Sequence, residues 1–200
     1  MTLYKPFFMV FHAILSFYLA ICILRFYLQV VRADFYNPLS QFIVKMTNPP
    51  LVKLRRFIPG WRGYDMASVV LIFSVQLIEV LVIMLIKGVP ASPVTVLVAM
   101  IYNVGSLFLW VILMAMIVLV IVSWTVPYAQ TPALSLIHSV TEPLLRIPRR
   151  YIKPIQGFDF SIFALSLGIF FVIQMVDYIC RAILPDPYWY LYITEPLRFV

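Results

Sequence analysis

The sequence predicts an all-α membrane protein: four transmembrane helices arranged as two parallel repeats, each built as span, amphipathic loop helices, span. Three observations carry this. Apolar residues make up 64% of the 200 residues and charged residues only 12%, against roughly 25% charge in an ordinary soluble domain. The apolar residues come in blocks long enough to cross a bilayer, which takes about 20 in a helix. And the chain repeats itself. Shifted back by 94 positions without a gap, Pro132 to Asp159 lies on Pro38 to Asp65 with ten of 28 positions identical. The matches include Pro38 with Pro132, Thr47 with Thr141, Pro49 with Pro143, Arg55-Arg56 with Arg149-Arg150, Gly63 with Gly157 and Asp65 with Asp159. Prolines, glycines and caps carry special backbone geometry, so their agreement marks a duplicated unit rather than shared composition.

Span one is expected near residues 6–31, where Phe7 to Leu24 holds no Lys, Arg, Asp or Glu. Arg25 and Arg32 form its cationic exit, with Arg25 close enough to the interface to snorkel. No small-residue cleavage pattern follows the apolar run, so it reads as a retained span and not a signal peptide. Asn37-Pro38 then starts a short helix, a capping residue followed by proline at the first helical position. Leu39, Phe42, Ile43 and Met46 give it one apolar face. Thr47-Asn48-Pro49 is read as a stop and restart. The second short helix carries Leu51, Leu54 and Ile58 with Lys53, Arg55 and Arg56, and a turn follows over Gly60 to Gly63. Asp65 is read as the cap of span two, near residues 66–86.

The second unit repeats the plan. Span three is expected near 98–124, in a stretch from Val94 to Thr141 without Lys, Arg, Asp or Glu. Thr131-Pro132 starts a loop helix with Leu134, Ile137 and Val140. Thr141-Glu142-Pro143 restarts it, Gly157 turns the chain, and Asp159 caps span four, near 160–184. The units divide as 1–93 and 94–200. Two crossings return each unit to its starting side, so the repeats are parallel, related by an axis along the membrane normal. The loop helices are too short to cross and suit the interface or the flank of the bundle. The tail from Pro185, with Tyr188, Trp189, Tyr190 and Tyr192, reads as an interfacial aromatic belt.

The bases set the orientation. Ten Lys or Arg lie in the two repeat loops, against Lys5, Lys87 and Arg198 on the other side. The positive-inside rule places the loops in the cytoplasm and both termini outside. The net charge of +7 therefore faces anionic membrane lipids, and nucleic acid is not expected as a partner. Arg55, Arg56, Arg149 and Arg150 are the candidate contacts for lipid phosphate or for a cytoplasmic protein partner.

Sites for chemistry are sparse. Phosphate-loop, dinucleotide, zinc-protease and CxxC motifs are absent from the sequence. No cofactor, metal or catalytic residue is expected. Cys22 and Cys180 fall at different depths, so a disulfide between them is not expected. His12 and His138 lie in different segments with no cysteine or carboxylate cluster near them in sequence, and a metal site needs more ligands. Polar residues inside spans are costly in lipid and draw attention. Gln76 and Glu79 lie one turn apart in span two. Gln174, Asp177 and Arg181 form a line in span four, with Asp177 and Arg181 spaced to pair. Two readings stand: a polar path for a cation or proton, or polar glue within the bundle. Glu79 aligns with Ile173 and Asp177 with Ile83 across the repeat, so a pore lined by equivalent acids is not supported.

Asp34 to Lys45 (DFYNPLSQFIVK), the proline-plus-Arg-Arg blocks Pro49 to Arg56 and Pro143 to Arg150, and Gly157 to Ser161 (GFDFS) together resemble the YggT family of bacterial membrane proteins, whose YlmG relatives include plastid members. The resemblance covers nearly the whole chain, including the two-copy form. The first copy departs at one place, with Ala67 where the family pattern has serine and Ser68 one position later. The resemblance implies an inner-membrane protein without known catalysis. It also implies links to osmotic tolerance and cation uptake, and to cell division or envelope organisation. It brings no established site residues. The sequence thus supports a non-enzymatic membrane protein of osmotic or cation homeostasis, with a homo-oligomer able to form a conduit that four spans alone would not. The alternative is a membrane scaffold whose basic loops recruit a division or envelope partner.

Overall fold

A computed structural model describes residues 4–88, 92–125, 131–152 and 159–183. It is all-helical among these residues. Four long helices, α1 (Tyr4–Val30), α3 (Met66–Lys87), α4 (Pro93–Thr125) and α6 (Phe160–Ile183), alternate with two shorter ones, α2 (Pro38–Leu54) and α5 (Pro132–Leu145). A single 3₁₀ turn spans Pro148–Arg150. The apolar windows long enough to cross a membrane are Pro6–Val30, Met66–Ile86, Pro93–Ser123 and Phe160–Cys180. The third begins five residues earlier than the sequence suggested, because Ser92 caps it: the Thr95 N–H donates to Ser92 Oγ at 3.1 Å. The aromatic tail and Gly157 lie outside the described residues, as does the side chain of Arg181.

Each unit packs the same way. α1 lies against α3 and α2, and correspondingly α4 lies against α6 and α5. The two units meet through α1 on α4 and α2 on α5, the pairs a twofold axis would bring together. Leu28, Ile112, Met116 and Leu145, none more than 1% exposed, fill the centre. The symmetry is incomplete. α3 packs closely on α4, while among the described residues α6 has no comparable packing on α1.

Two features of the loop helices bear on the sequence expectation. First, each is one continuous helix rather than a helix, stop and restart. α2 runs through Pro49 and Pro50, and α5 through Pro143. Proline removes a ladder donor and crowds the preceding turn, but the helix is held there by its packing. Thr47, Thr141, Leu51 and Leu145 are all fully buried. Thr47 Oγ1 also donates to Ile43 O at 2.8 Å, and Thr141 Oγ1 to Ile137 O at 2.9 Å. Second, the buried stripe of α2 is Ser40, Ile43, Thr47 and Leu51. Of the apolar face read from the sequence, which suited either the interface or the flank of the bundle, Ile43 is buried while Leu39, Phe42 and Met46 are 41%, 51% and 42% exposed. Small and polar residues face the bundle and large apolar ones face out, the arrangement of close helix packing in lipid, where the outside is apolar too. In α5 the match is better, with Leu134 and Val140 buried.

Candidate functional site

On the loop side, the starts of the two loop helices are capped alike and tied together. Asn37 Oδ1 accepts from Leu39 N–H at 2.9 Å and Thr131 Oγ1 from Leu134 N–H at 3.3 Å. Asn37 Nδ2 also donates to Pro132 O at 2.6 Å, across the unit boundary. These starts flank a cavity of about 660 Å³ whose wall includes Asp34, Tyr36, Thr131 and His138.

The loops return to the membrane through matching ion pairs. Arg55 Nη2 donates to Asp65 Oδ2 at 2.5 Å. At the equivalent place, 94 residues on, Arg149 donates to Asp159 Oδ2 at 2.9 Å from Nε and 2.8 Å from Nη2. Arg149 also reaches Glu142 Oε2 at 2.7 Å, where the first unit has Asn48. The Arg55 loop is closed by Arg62 and Gly63, both at positive φ (50° and 84°), between Trp61 and Tyr64. Those two exchange backbone bonds of 3.1 and 2.9 Å. This two-residue turn suits glycine at its second position, and Gln29 Nε2 donates to Gly63 O at 3.2 Å, fixing it to α1.

The two aspartates do different work. Asp159 caps α6 as expected, Oδ1 accepting from Ser161 N–H at 3.0 Å. Asp65 stands at the N-cap position of α3, but its carboxylate takes no backbone N–H. It accepts from Ser68 Oγ at 2.7 Å instead. The expectation of a capping carboxylate at Asp65 is corrected accordingly. Ser68, the hydroxyl one place late in the first copy, spends that carboxylate. Burial raises the Asp65 carboxyl, but the hydrogen bonds from Arg55 and Ser68 and the charges of Arg55 and Arg25 outweigh it and hold it below its ordinary value.

Arg25 corrects another expectation. It does not snorkel into water: it is 9% exposed, and Nη1 has no hydrogen-bond partner among the described residues. Of the arginines proposed as lipid or partner contacts, Arg55 and Arg149 are held in ion pairs, while Arg56 and Arg150 are exposed.

Inside the membrane windows, the residues of span two find a partner that sequence spacing did not suggest. Glu79 is 4% exposed and pairs with His12 Nδ1 on α1. Ser16, one turn along α1 from His12, donates to the same carboxylate oxygen at 3.1 Å. Phe8 stacks on the His12 ring, with centroids 6.2 Å apart and planes 10° from parallel. Gln76, one turn along α3 from Glu79, is fully buried, and neither amide atom has a hydrogen-bond partner among the described residues. His12 thus meets a single carboxylate across the helix pair, and among the described residues no group of three or more His, Cys, Asp or Glu surrounds it. The signal was present: His12 and Ser16 are polar residues at i and i+4 in the uncharged stretch Phe7 to Leu24, as Gln76 and Glu79 are at i and i+3 in span two.

In the second unit, Asp177 on α6 accepts from Tyr102 OH on α4 at 3.1 Å. Gln174 on α6 is exposed. Translated by 94, Tyr102 falls at Phe8 and Asp177 at Ile83: one turn before His12 and one turn after Glu79. Since the paired helices are antiparallel, this is the same rung moved one turn toward the end opposite the loops. Each unit therefore joins its two spans through one acid, at depths that differ by about 6 Å.

The CCB3/YggT family profile matches the chain twice, over residues 4–86 and 97–180. Similar proteins include the uncharacterised protein PA0392 of Pseudomonas aeruginosa, 43% identical over 165 residues and covering 81% of each chain. An uncharacterised protein of Vibrio alginolyticus encoded in the proC 3′ region is 34% identical over 179 residues, covering 86% of this chain and 91% of that one. The uncharacterised YggT protein of Escherichia coli K12 is 33% identical over 163 residues, covering 81% and 84%. No solved structure matches the chain. Two matched segments, four apolar helices and relatives covered over most of their length make this chain a member of the CCB3/YggT family.

Proposed function

We propose that this protein is a non-catalytic, multi-pass protein of the inner membrane that supports osmotic or cation homeostasis, with its repeat loops in the cytoplasm and both termini outside. One observation carries the reading: a carboxylate, Glu79, buried deep in a membrane window and matched to His12 on the neighbouring span. Intramembrane ionisable pairs of this kind are expensive in lipid and mark ion and proton paths. The centre of a single copy is filled by side chains such as Ile112 and Met116, so a conduit runs between copies of a homo-oligomer. Reconstitution tests it. Purified protein in liposomes is expected to pass K⁺ or Na⁺ down a gradient, with Glu79→Gln reducing the flux. Flux equal to that of empty liposomes overturns the reading.

The orientation has its own test. Single cysteines at Lys53 and Pro93, both exposed, treated with an impermeant thiol reagent on whole cells, are expected to label at Pro93 only. Labelling at Lys53 alone reverses the assignment.

A second reading draws on the loop surface. Phe57, Trp61 and Tyr151 are 84%, 61% and 83% exposed beside Arg56, Arg62 and Arg150. Aromatic and basic residues side by side suit anionic lipid headgroups or a cytoplasmic protein partner of a scaffold. A scaffold tolerates Glu79→Gln in cells and fails on loop substitutions; a cation pathway does the reverse.

A further inference from the structure

We propose that Arg25 anchors a binding site for one phosphate group, in the cavity between α1 and the Trp61–Tyr64 turn, and that a membrane phospholipid supplies that phosphate. The site goes beyond the homeostasis reading and stands or falls without it. Arg25 is 9% exposed, and its Nη1 has no hydrogen-bond partner among the described residues. A guanidinium taken out of water and left short of acceptors is costly, and an incoming anion offsets that cost. A cavity of about 570 Å³ lies next to it, with Gln29, Arg55, Tyr64 and Asp65 as polar lining and Ile58 and Pro59 as apolar lining. Gln29 is one helical turn beyond Arg25 on the same face of α1, and the charge of Arg25 acts on the Asp65 carboxylate. Arg55 and Tyr64 are exposed, so the cavity opens to the surface.

Charge and depth select the ligand. At the cavity two guanidinium groups, Arg25 and Arg55, meet one carboxylate, Asp65. From Phe35 to Tyr64 the chain has no Asp or Glu and five Lys or Arg, so the surplus is positive. The second unit has the reverse balance. Leu119, 3% exposed, stands 94 residues on from Arg25, and Arg149 bonds two carboxylates, Asp159 and Glu142. There the chain supplies both anions itself. In the first unit Asn48 stands where Glu142 does, and the second anion comes from outside. A phosphodiester carries one negative charge and restores neutrality. A bare halide would leave most of the cavity empty, whereas a phosphate with its glycerol occupies both the polar and the apolar lining. Arg25 is twentieth in the window Pro6–Val30, about 8 Å from its loop-side end and so close to the lipid headgroups, where phosphate is the abundant anion. Its planar fork suits phosphate oxygens. Arg55 is spent on Asp65 and contributes charge, which a lysine would keep.

The test uses the full-length protein in a non-ionic detergent, stripped of lipid, at fixed ionic strength. Phosphatidylglycerol, phosphatidylcholine or inorganic phosphate is added, and thermal unfolding and native mass spectrometry are read. Phosphatidylglycerol is expected to raise the unfolding midpoint saturably. Phosphatidylcholine, whose phosphate is already balanced by its own cation, is expected to raise it less. In Arg25→Met the rise is expected to vanish, and the count of retained phosphatidylglycerol to fall by one per protein. The lipid-free midpoint of that variant is expected to stay at or above wild type, because a buried charge short of partners has been removed; a merely structural arginine would lower it. Arg25→Lys is the gentler change. It keeps the charge, loses the two-donor fork and is expected to weaken binding about tenfold. A rise with inorganic phosphate and none with phosphatidylglycerol retains the phosphate site and assigns it to the free anion in place of the lipid. An undiminished phosphatidylglycerol effect in Arg25→Met, wild-type affinity in Arg25→Lys, a wild-type midpoint that neither phosphate source moves, or one that phosphatidylcholine moves as far as phosphatidylglycerol each overturns the site.

Discussion

The two repeat units agree on the loop side and part company inside the membrane. Arg55–Asp65 and Arg149–Asp159 occupy equivalent positions, as do the buried Thr47 and Thr141 and the capping Asn37 and Thr131. Between the spans, the first unit has His12, Ser16, Gln76 and Glu79, and the second has Tyr102 and Asp177 one turn nearer the end. Depth explains the difference in chemistry. Asp177 is eighteenth in the window Phe160–Cys180, about 5 Å from its end, where water can share in solvating it beside the Tyr102 hydroxyl that donates to it. Glu79 lies deeper and needs a donor that can carry charge. Features held in both copies build the unit. Features found in one copy are where a specialised task resides, and here the packing agrees, since among the described residues α3 packs closely on α4 of the other unit and its counterpart α6 has no comparable packing on α1.

That division is broken most severely at Arg149. It bonds two carboxylates, Asp159 and Glu142, while Arg55 is paired with Asp65 and is 43% exposed. Arg149→Ala is expected to cost about 2–3 kcal/mol, since it strips a partly buried carboxylate of its charged donor. Arg55→Ala is expected to cost less, about 1–2 kcal/mol, because Arg55 is the more exposed arginine and holds one carboxylate, although Asp65 at 10% exposed is as buried as Asp159 at 13%. Chemical unfolding in detergent measures both. Equal losses would mean that the loops share more symmetry than their contacts imply. Asp159→Asn falls between wild type and Asp159→Ala, because Asn keeps the cap on Ser161 N–H and gives up the charge.

Acid sharpens the comparison from the first unit. The Asp65 carboxyl is held below its ordinary value of 3.8, so the folded state binds the proton more weakly than the unfolded chain does. Its stabilisation is therefore complete above the unfolded value and is lost as pH falls through the lower, folded one. Unfolding midpoints measured from pH 6 downward are expected to drop below about pH 4, and Asp65→Asn is expected to flatten that limb. A limb unchanged in Asp65→Asn assigns the acid sensitivity to another carboxylate.

Much of this was legible in the sequence, and for physical reasons. Spans follow from apolar length, and the 94-residue repeat from prolines, caps and Arg-Arg pairs. What could not be read locally was which polar residues meet. His12 and Glu79 are 67 positions apart, and only the antiparallel packing of α1 on α3 brings them to one level. Which stripe of α2 packs on the bundle was left open by the sequence for a different reason. In water a buried stripe is the most apolar one, but beside lipid the apolar stripe of Leu39, Phe42 and Met46 turns outward, and Ser40 and Thr47 take the close contact. The prolines misled because steric rules for isolated helices take no account of the burial of Thr47 and Leu51.

The threonines give the next prediction, and one in which the units should behave alike. Thr47→Val and Thr141→Val keep the buried shape and remove one hydroxyl that bonds the preceding turn. A neutral hydrogen bond contributes about 0.5–1.5 kcal/mol, and back-bonding hydroxyls also strain the helix slightly. Each change is expected to cost under about 1 kcal/mol, equally in both units. A large loss in one unit alone would give that threonine a role beyond construction.

The smallest expected effect separates the arginines within each pair. All four were candidates for lipid phosphate, but Arg55 and Arg149 spend their guanidinium groups on Asp65 and Asp159. Arg56 and Arg150 remain exposed on the loop face. A base near an anionic membrane contributes about 1 kcal/mol, and lysine keeps that charge while losing the planar fork that grips a phosphate with two donors. Arg56→Lys with Arg150→Lys is therefore expected to leave topology and folding unchanged and to reduce retained anionic lipid by a factor of a few, read by native mass spectrometry. Arg55→Lys with Arg149→Lys is expected to do the opposite, lowering stability through the poorer ion pairs and leaving lipid retention nearly as it was. If the second pair of substitutions releases lipid and the first does not, the bound phosphate sits in the ion-pair layer at the mouth of the spans, and the loop face serves only to set orientation.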